Sequence, residues 1–107
     1  MDTLAALADP TRRRILELLV DGEVPAGDLS DQFSVSRPAI SRHLRVLREA
    51  GLVRSRVDGQ RRVYALDAQP LAELDAWLAP YRRFWTQRLD ALDTEIRRGR
   101  RKRRTTT

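Results

Sequence analysis

Between Ser36 and Leu66 the apolar spacing changes from helical to strand-like across a single glycine, an order that few small folds accommodate. Ile40, Leu44 and Leu47 recur at i, i+4 and i+7, so a helix over residues 37–50 buries one stripe, with Ser36 as its cap and Gly51 just past its end. At about 100° per residue, Pro38, Arg42, Arg45 and Glu49 point away from that stripe. Residues 52–57 and 61–66 follow as two β-prone runs joined by Asp58-Gly59, a dipeptide that favours a tight hairpin because glycine tolerates positive φ.

Upstream, Leu4, Leu7 and Ala8 fall at helical spacing, and Asp9-Pro10 supplies an N-cap and a first-position proline for a second helix. That helix, residues 10–21, is rich enough in apolar residues (Ile15, Leu16, Leu18, Leu19, Val20) to be buried on more than one side. A turn over residues 22–25 leads to a short helix on Ala26, Leu29 and Phe33, ending near Ser34. Two short helices separated by Ser34-Val35, the second with an apolar back and an Arg-rich front, match a helix-turn-helix, and the hairpin after them reads as a wing. The expected fold class is mainly α with a small β-hairpin, a winged helix-turn-helix.

Charge is distributed unevenly. Residues 37–62 hold eight Arg against two acids, whereas residues 1–36 hold three against seven and residues 63–96 three against six. A further seven cations lie between Arg97 and Arg104, so the net +6 comes from one central stretch and one end. Concentrated positive charge beside acidic flanks points to a polyanion-binding face. The absence of Cys excludes disulfides and thiolate metal sites, and a single His excludes a multi-histidine site within one chain. The longest apolar run, residues 4–8, is far short of the roughly 20 that span a bilayer, and Asp2 spoils a signal-peptide start, so a cytoplasmic, nucleoid-associated location without membrane attachment is expected.

From Pro70 onward Leu71, Leu74, Leu78, Tyr81, Phe84 or Trp85, Leu89, Leu92 and Ile96 recur every three or four residues. A helix that long outreaches the core of so small a domain, so part of the stripe is expected to face another subunit. Pro80 predicts a kink or break near residues 77–79. The chain thus divides into residues 1–96, a winged domain with dimerising terminal helices, and residues 97–107, a disordered basic tail.

The segments Ala6-Leu7-Ala8-Asp9-Pro10-Thr11-Arg12, Val35-Ser36-Arg37-Pro38-Ala39-Ile40-Ser41-Arg42-His43-Leu44 and Ala50-Gly51-Leu52-Val53, with the later Tyr64-Ala65-Leu66, resemble the ArsR/SmtB family of bacterial winged-helix repressors. Residues 81–92 resemble its metal-free branch of SdpR-like autorepressors. The resemblance implies a homodimer held by the first and last helices, whose two recognition helices enter successive major grooves of a palindromic operator. Metal-sensing relatives place a Cys pair on the helix matching residues 26–33, or Asp, His and Glu on the last helices. This chain has none of those Cys or His residues, and Asp67, Glu73, Asp75, Asp90, Asp93 and Glu95 read as an acidic helix surface. No metal and no cofactor are expected.

The expected DNA contacts are Ser36, Arg37, Pro38, Ser41, Arg42 and Arg45 on the recognition helix, and Arg56, Gln60, Arg61 and Arg62 on the wing. Arg42 and Arg45 suit bidentate bonds to guanine in the major groove, and the wing arginines suit minor groove or phosphate. Arg56 is weaker because Asp58 is a ready partner, and His43 reads as a half-buried structural histidine. The expected dimer surface is Leu4, Leu7, Leu71, Leu74, Trp77, Leu78, Tyr81, Phe84, Trp85, Leu89 and Leu92, with room for an unknown effector between paired C-terminal helices. The partners are double-stranded operator DNA and a second copy. A nucleophile and base pair are missing, since Ser41 and His43 are two residues apart on a helix and face different directions, so no enzyme is expected. The competing reading is a winged-helix interaction or architectural module with mainly non-specific DNA binding; it would not need eight arginines in residues 37–62.

Overall fold

A computed structural model describes residues 2–105. The order of elements is α1 (Thr3–Leu7), α2 (Pro10–Leu18), β1 (Val24–Pro25), α3 (Ala26–Asp31), α4 (Arg37–Glu49), β2 (Val53–Asp58), β3 (Arg61–Leu66) and α5 (Gln69–Thr105). Contacts divide it into two units, one ending at Leu74 and one beginning at Asp75.

In the first unit, short side chains set the helix starts. The Asp2 carboxylate accepts from the amides of Leu4 and Ala5, Asp9 from Arg12, and Ser36 Oγ from Ala39 at 3.3 Å. Pro10 opens α2 without an N–H, which deprives the Ala6 carbonyl of the donor four residues on. The Arg12 guanidinium replaces it: Nε donates to Ala6 O at 2.7 Å and Nη2 to Ala5 O at 3.1 Å. Arg13 Nη1 likewise donates to Leu7 O at 2.8 Å, so α1 is closed by two side chains of α2.

The end of α4 is a complete Schellman motif. Gly51, at φ +77°, donates to Arg48 O at 3.0 Å and Leu52 to Leu47 O at 2.9 Å, while the side chains of Leu47 and Leu52 are both fully buried. The chain leaves this cap directly into β2. The sheet is antiparallel in the order β1-β3-β2, with Asp58 opposite Arg61, so the loop between them is Gly59-Gln60. Gly59 at φ +63° followed by a residue of negative φ fits a type II′ turn, one position beyond the expected Asp58-Gly59. Strand β1 was not expected; residues 22–25 read as a turn, yet Val24 and Pro25 pair with Tyr64 and Val63.

The core lies wholly in this unit: Ala6, Ile15, Leu16, Leu19, Leu29, Ile40, Leu44, Leu47, Ala50, Leu52, Val53 and Tyr64, with Leu7, Phe33 and Leu71 packed against it. Helix α2 stops at Leu18 rather than 21, which leaves Val20 exposed and outside the core expected for it. His43 Nδ1 lies 3.3 Å from Arg12 Nη1 and 3.9 Å from Asp9 Oδ2, half-buried, joining α2 to α4.

The second unit is the remainder of α5. The helix runs unbroken through Pro80, where a kink or break was expected. The carbonyl that loses its donor is that of Ala76, an exposed residue, so water can satisfy it. The helix also continues from Ile96 to Thr105, across most of the stretch expected to be disordered. Arg and Lys are good helix formers and their cations suit a helix C-terminus, and Arg97 pairs with Asp93 one turn back at 3.0 Å. Residues 106–107 of the expected tail lie outside the described residues. No described helix is long and apolar enough to cross a membrane.

Candidate nucleic-acid interface

Burial of Ile40, Leu44 and Leu47 turns the opposite side of α4 to solvent, and that side carries the expected readers. Ser36, Arg37, Pro38, Ser41, Arg42 and Arg45 are all exposed. Ser36 Oγ accepts the cap bond from the Ala39 amide, which leaves its O–H free to donate. Arg37 lies 3.8 Å from Asp31 and Arg45 lies 3.9 Å from Glu49, both long and solvated contacts. Pairs this exposed are worth at most about 1 kcal/mol, so either guanidinium can exchange its carboxylate for a stronger anion. Arg42 has no carboxylate partner among the described residues.

The register sorts the hairpin into two faces. Val53, Ser55, Val57, Arg62, Tyr64 and Leu66 share the face that continues from the core, and Arg54, Arg56, Asp58, Arg61, Val63 and Ala65 share the other. On the second face every arginine meets a carboxylate: Arg54 with Asp67 at 3.7 Å, Arg56 with Glu23 at 2.8 Å, Arg61 with Asp58 at 3.3 Å. On the first, Arg62 donates only to Ser55 Oγ, at 3.2 Å.

The partner of Arg56 is Glu23, not the expected Asp58: although Arg56 and Asp58 share a face, Asp58 pairs with Arg61 opposite it across the turn, and Glu23, just before β1, reaches Arg56. Both guanidinium edges of Arg56 engage Glu23, at 2.8 and 3.2 Å. This bond holds the Glu23 carboxyl below its ordinary range and raises Arg56 above its own. The Asp9 carboxyl is also lowered, first by the Arg12 amide that it caps and then by His43 and Arg12. Gln60 and Arg61 sit at the hairpin end beside Pro25, Ala26 and Asp28.

A recess of 220 Å³ is lined by Ser41, Arg42, Arg45, Arg48 and Tyr64. It joins three expected residues to two that sequence reasoning passed over. A signal for Arg48 was present, since Ser41, Arg45 and Arg48 stand at i, i+4 and i+7.

In the second unit Trp77, Tyr81, Phe84, Trp85, Leu89, Leu92 and Ile96 are 40–60% exposed. The Trp77 and Tyr81 rings lie one turn apart with centroids 5.0 Å apart and planes tilted by 40°, and Arg88 covers the Phe84 ring at 4.6 Å. Leu74 and Leu78 are half-buried, as are Leu7 and Leu71, whereas Leu4 is 54% exposed.

A helix-turn-helix with an arginine-bearing wing defines a winged-helix transcriptional regulator. The family described as bacterial regulatory protein, arsR family, matches residues 9–55. The chain is 51% identical over 84 residues to the HTH-type transcriptional regulator Rv2034 of Mycobacterium tuberculosis, covering 78% of this chain and 76% of that one. It is 40% identical over 73 residues to the transcriptional repressor SdpR of Bacillus subtilis, covering 68% and 81%. Among solved structures, one titled possible transcriptional regulator for arsenical resistance superposes with a TM-score of 0.71 at 48% identity, covering 89% of this chain and 96% of that one. The chain belongs to the ArsR family, on its SdpR-like side, and is a transcriptional regulator rather than an enzyme.

Proposed function

We propose that this chain is a homodimeric repressor that reads a palindromic operator through α4 and the hairpin, acting on its own promoter and without metal sensing. One observation carries the DNA reading: residues 37–62 set eight arginines on the solvent side of α4 and on the hairpin, and Arg42 stands at the centre of α4 with no carboxylate partner among the described residues. A guanidinium so placed can meet guanine O6 and N7, with Arg37 and Ser41 one turn earlier near bases and phosphates. Arg62 and Arg61 supply wing contacts, and Arg97–Arg104 adds affinity that is indifferent to sequence. Repression follows from the likeness to a named repressor.

Dimerisation rests on the uncovered aromatic and leucine stripe of α5, since monomers rarely leave so continuous an apolar face in water. The occupant is a second copy, because a closed two-fold pair is the commonest way to bury such a surface and would present two α4 helices to a repeat. Independence from metal rests on the lack of Cys, on a lone His engaged with Arg12, and on the absence of three convergent His, Asp or Glu among the described residues. Selection of genomic fragments by the purified protein at about 150 mM salt, where non-specific binding is already weakened, tests this reading. An inverted repeat upstream of the protein's own gene is expected; enrichment without a motif would overturn sequence-specific repression in favour of an architectural role.

A further inference from the structure

Of the eight arginines in residues 37–62, five lie within 4 Å of a carboxylate. Arg42, Arg48 and Arg62 have no such partner among the described residues, and two of these three line the same recess. Arg42, Arg45 and Arg48 of α4 form one wall with Ser41, and Tyr64 of β3 forms the other. No carboxylate lines it.

Tyr64 is held rigidly. Its ring belongs to the core at 7% exposure, and its strand position is fixed by pairing with Ser55 on one side and Val24 on the other. No described group bonds its hydroxyl, and no fully buried polar atom among the described residues is left without a partner, so the hydroxyl meets solvent, and Tyr64 is one of the residues that line the recess. A hydroxyl donor beside the Arg48 guanidinium, which no described carboxylate holds, offers convergent donors to a tetrahedral oxyanion, which accepts them at several oxygens, and leaves Arg42 to the bases.

We infer that this recess seats a backbone phosphate of the bound duplex, with Arg48 and Tyr64 as positioning residues that fix how deeply α4 enters the groove. This rests on the DNA-binding reading above. Arg48 lies in the last turn of α4, whereas base contacts in this class of motif concentrate toward the start of the recognition helix, so the far end is left for the backbone. A purely structural Arg48 would favour the helix C-terminus through the dipole and leave salt dependence untouched.

The test is fluorescence anisotropy of labelled duplexes with the full chain, between 50 and 200 mM salt. Arg48→Ala is expected to weaken a selected operator and a random duplex by the same factor, and to flatten the slope of log Kd against log salt by about 0.9, the value of one phosphate contact. Arg48→Lys keeps the charge and is expected to restore the slope. Tyr64→Phe retains the buried ring and is expected to lose about three- to tenfold on both duplexes, with the slope unchanged. An unchanged slope for Arg48→Ala, or a loss confined to the operator, overturns the phosphate seat while leaving DNA binding intact. Weakening of wild-type binding by millimolar inorganic phosphate at constant ionic strength, with Arg48→Ala unaffected, would support the seat, since free phosphate competes for the same donors. A wild type that binds no duplex would overturn the DNA reading itself.

Discussion

Arg12→Ala, set beside Arg13→Ala, isolates how α1 is held. Both wild-type side chains donate to carbonyls at the end of α1, but only Arg12 fills the vacancy that Pro10 creates, at 2.7 Å to the carbonyl of buried Ala6. A charge-assisted bond to a part-buried carbonyl contributes about 1.5–3 kcal/mol. The bond to Ala5 O adds little, because the Ala8 amide reaches the same oxygen at 3.2 Å, and the 3.3 Å contact with His43 adds about 0.5–1 kcal/mol. Arg12→Ala should therefore cost about 2–4 kcal/mol. Arg13 makes one exposed bond, and Arg13→Ala should cost about 0.5 kcal/mol. Urea unfolding at one fixed protein concentration separates the two, and with about 4–8 °C per kcal/mol for a domain this size the Arg12→Ala melting point should fall by about 10 °C or more. Equal losses from the two variants would refute the view that a proline-created vacancy makes Arg12 the closing residue.

Asp9 provides a pH prediction. Its folded carboxyl titrates below its ordinary value, so the stabilisation it lends is present above about pH 4 and fades as pH falls through the lowered value. Asn caps as well as Asp, so Asp9→Asn should be less stable than wild type at pH 6 and converge with it once pH has fallen through the lowered value, as chemical denaturation across the acid range would show. Glu23→Gln frees Arg56 from its bidentate partner and should tighten binding to any duplex, steepening the salt slope by up to about 0.9; an unaltered slope would place Arg56 away from DNA. Leu89→Asp places a charge on the uncovered stripe of α5 and, in the proposed dimer, removes about 1.5–3 kcal/mol of burial from each copy, so sedimentation should show that dimer weakened at least about a hundredfold, and an unchanged association would refute the α5 interface.

Most of the first unit was legible because its signals are local. Asp9-Pro10, Ser36 and Gly51 each act on neighbours within four residues, and all three mark helix ends where the structure has them. Strand β1 was not legible, because two residues carry no period and their pairing with β3 is made some 40 residues away. Arg56 shows the same limit: Asp58 was its near neighbour in sequence, yet Glu23 reaches it only once β1 lies beside β3. The continuity of α5 through Pro80 escaped a local rule that treats the lost hydrogen bond as decisive, although an exposed carbonyl can turn to water. Tyr64 was invisible as a site residue because the sequence places it only on a β-prone run, and its approach to the Arg48 side of α4 is made by the fold.

The claim that the open face of α4 reads base sequence stands or falls on one comparison. The ratio of affinities for a selected operator and a random duplex should be measured for wild type and for Arg42→Ala at about 150 mM salt. A bidentate contact to guanine is worth about 1–3 kcal/mol of discrimination, so the ratio should fall roughly 5- to 150-fold while binding to random DNA changes little. A ratio left unchanged, with both affinities reduced together, would make Arg42 a phosphate contact and contradict the account.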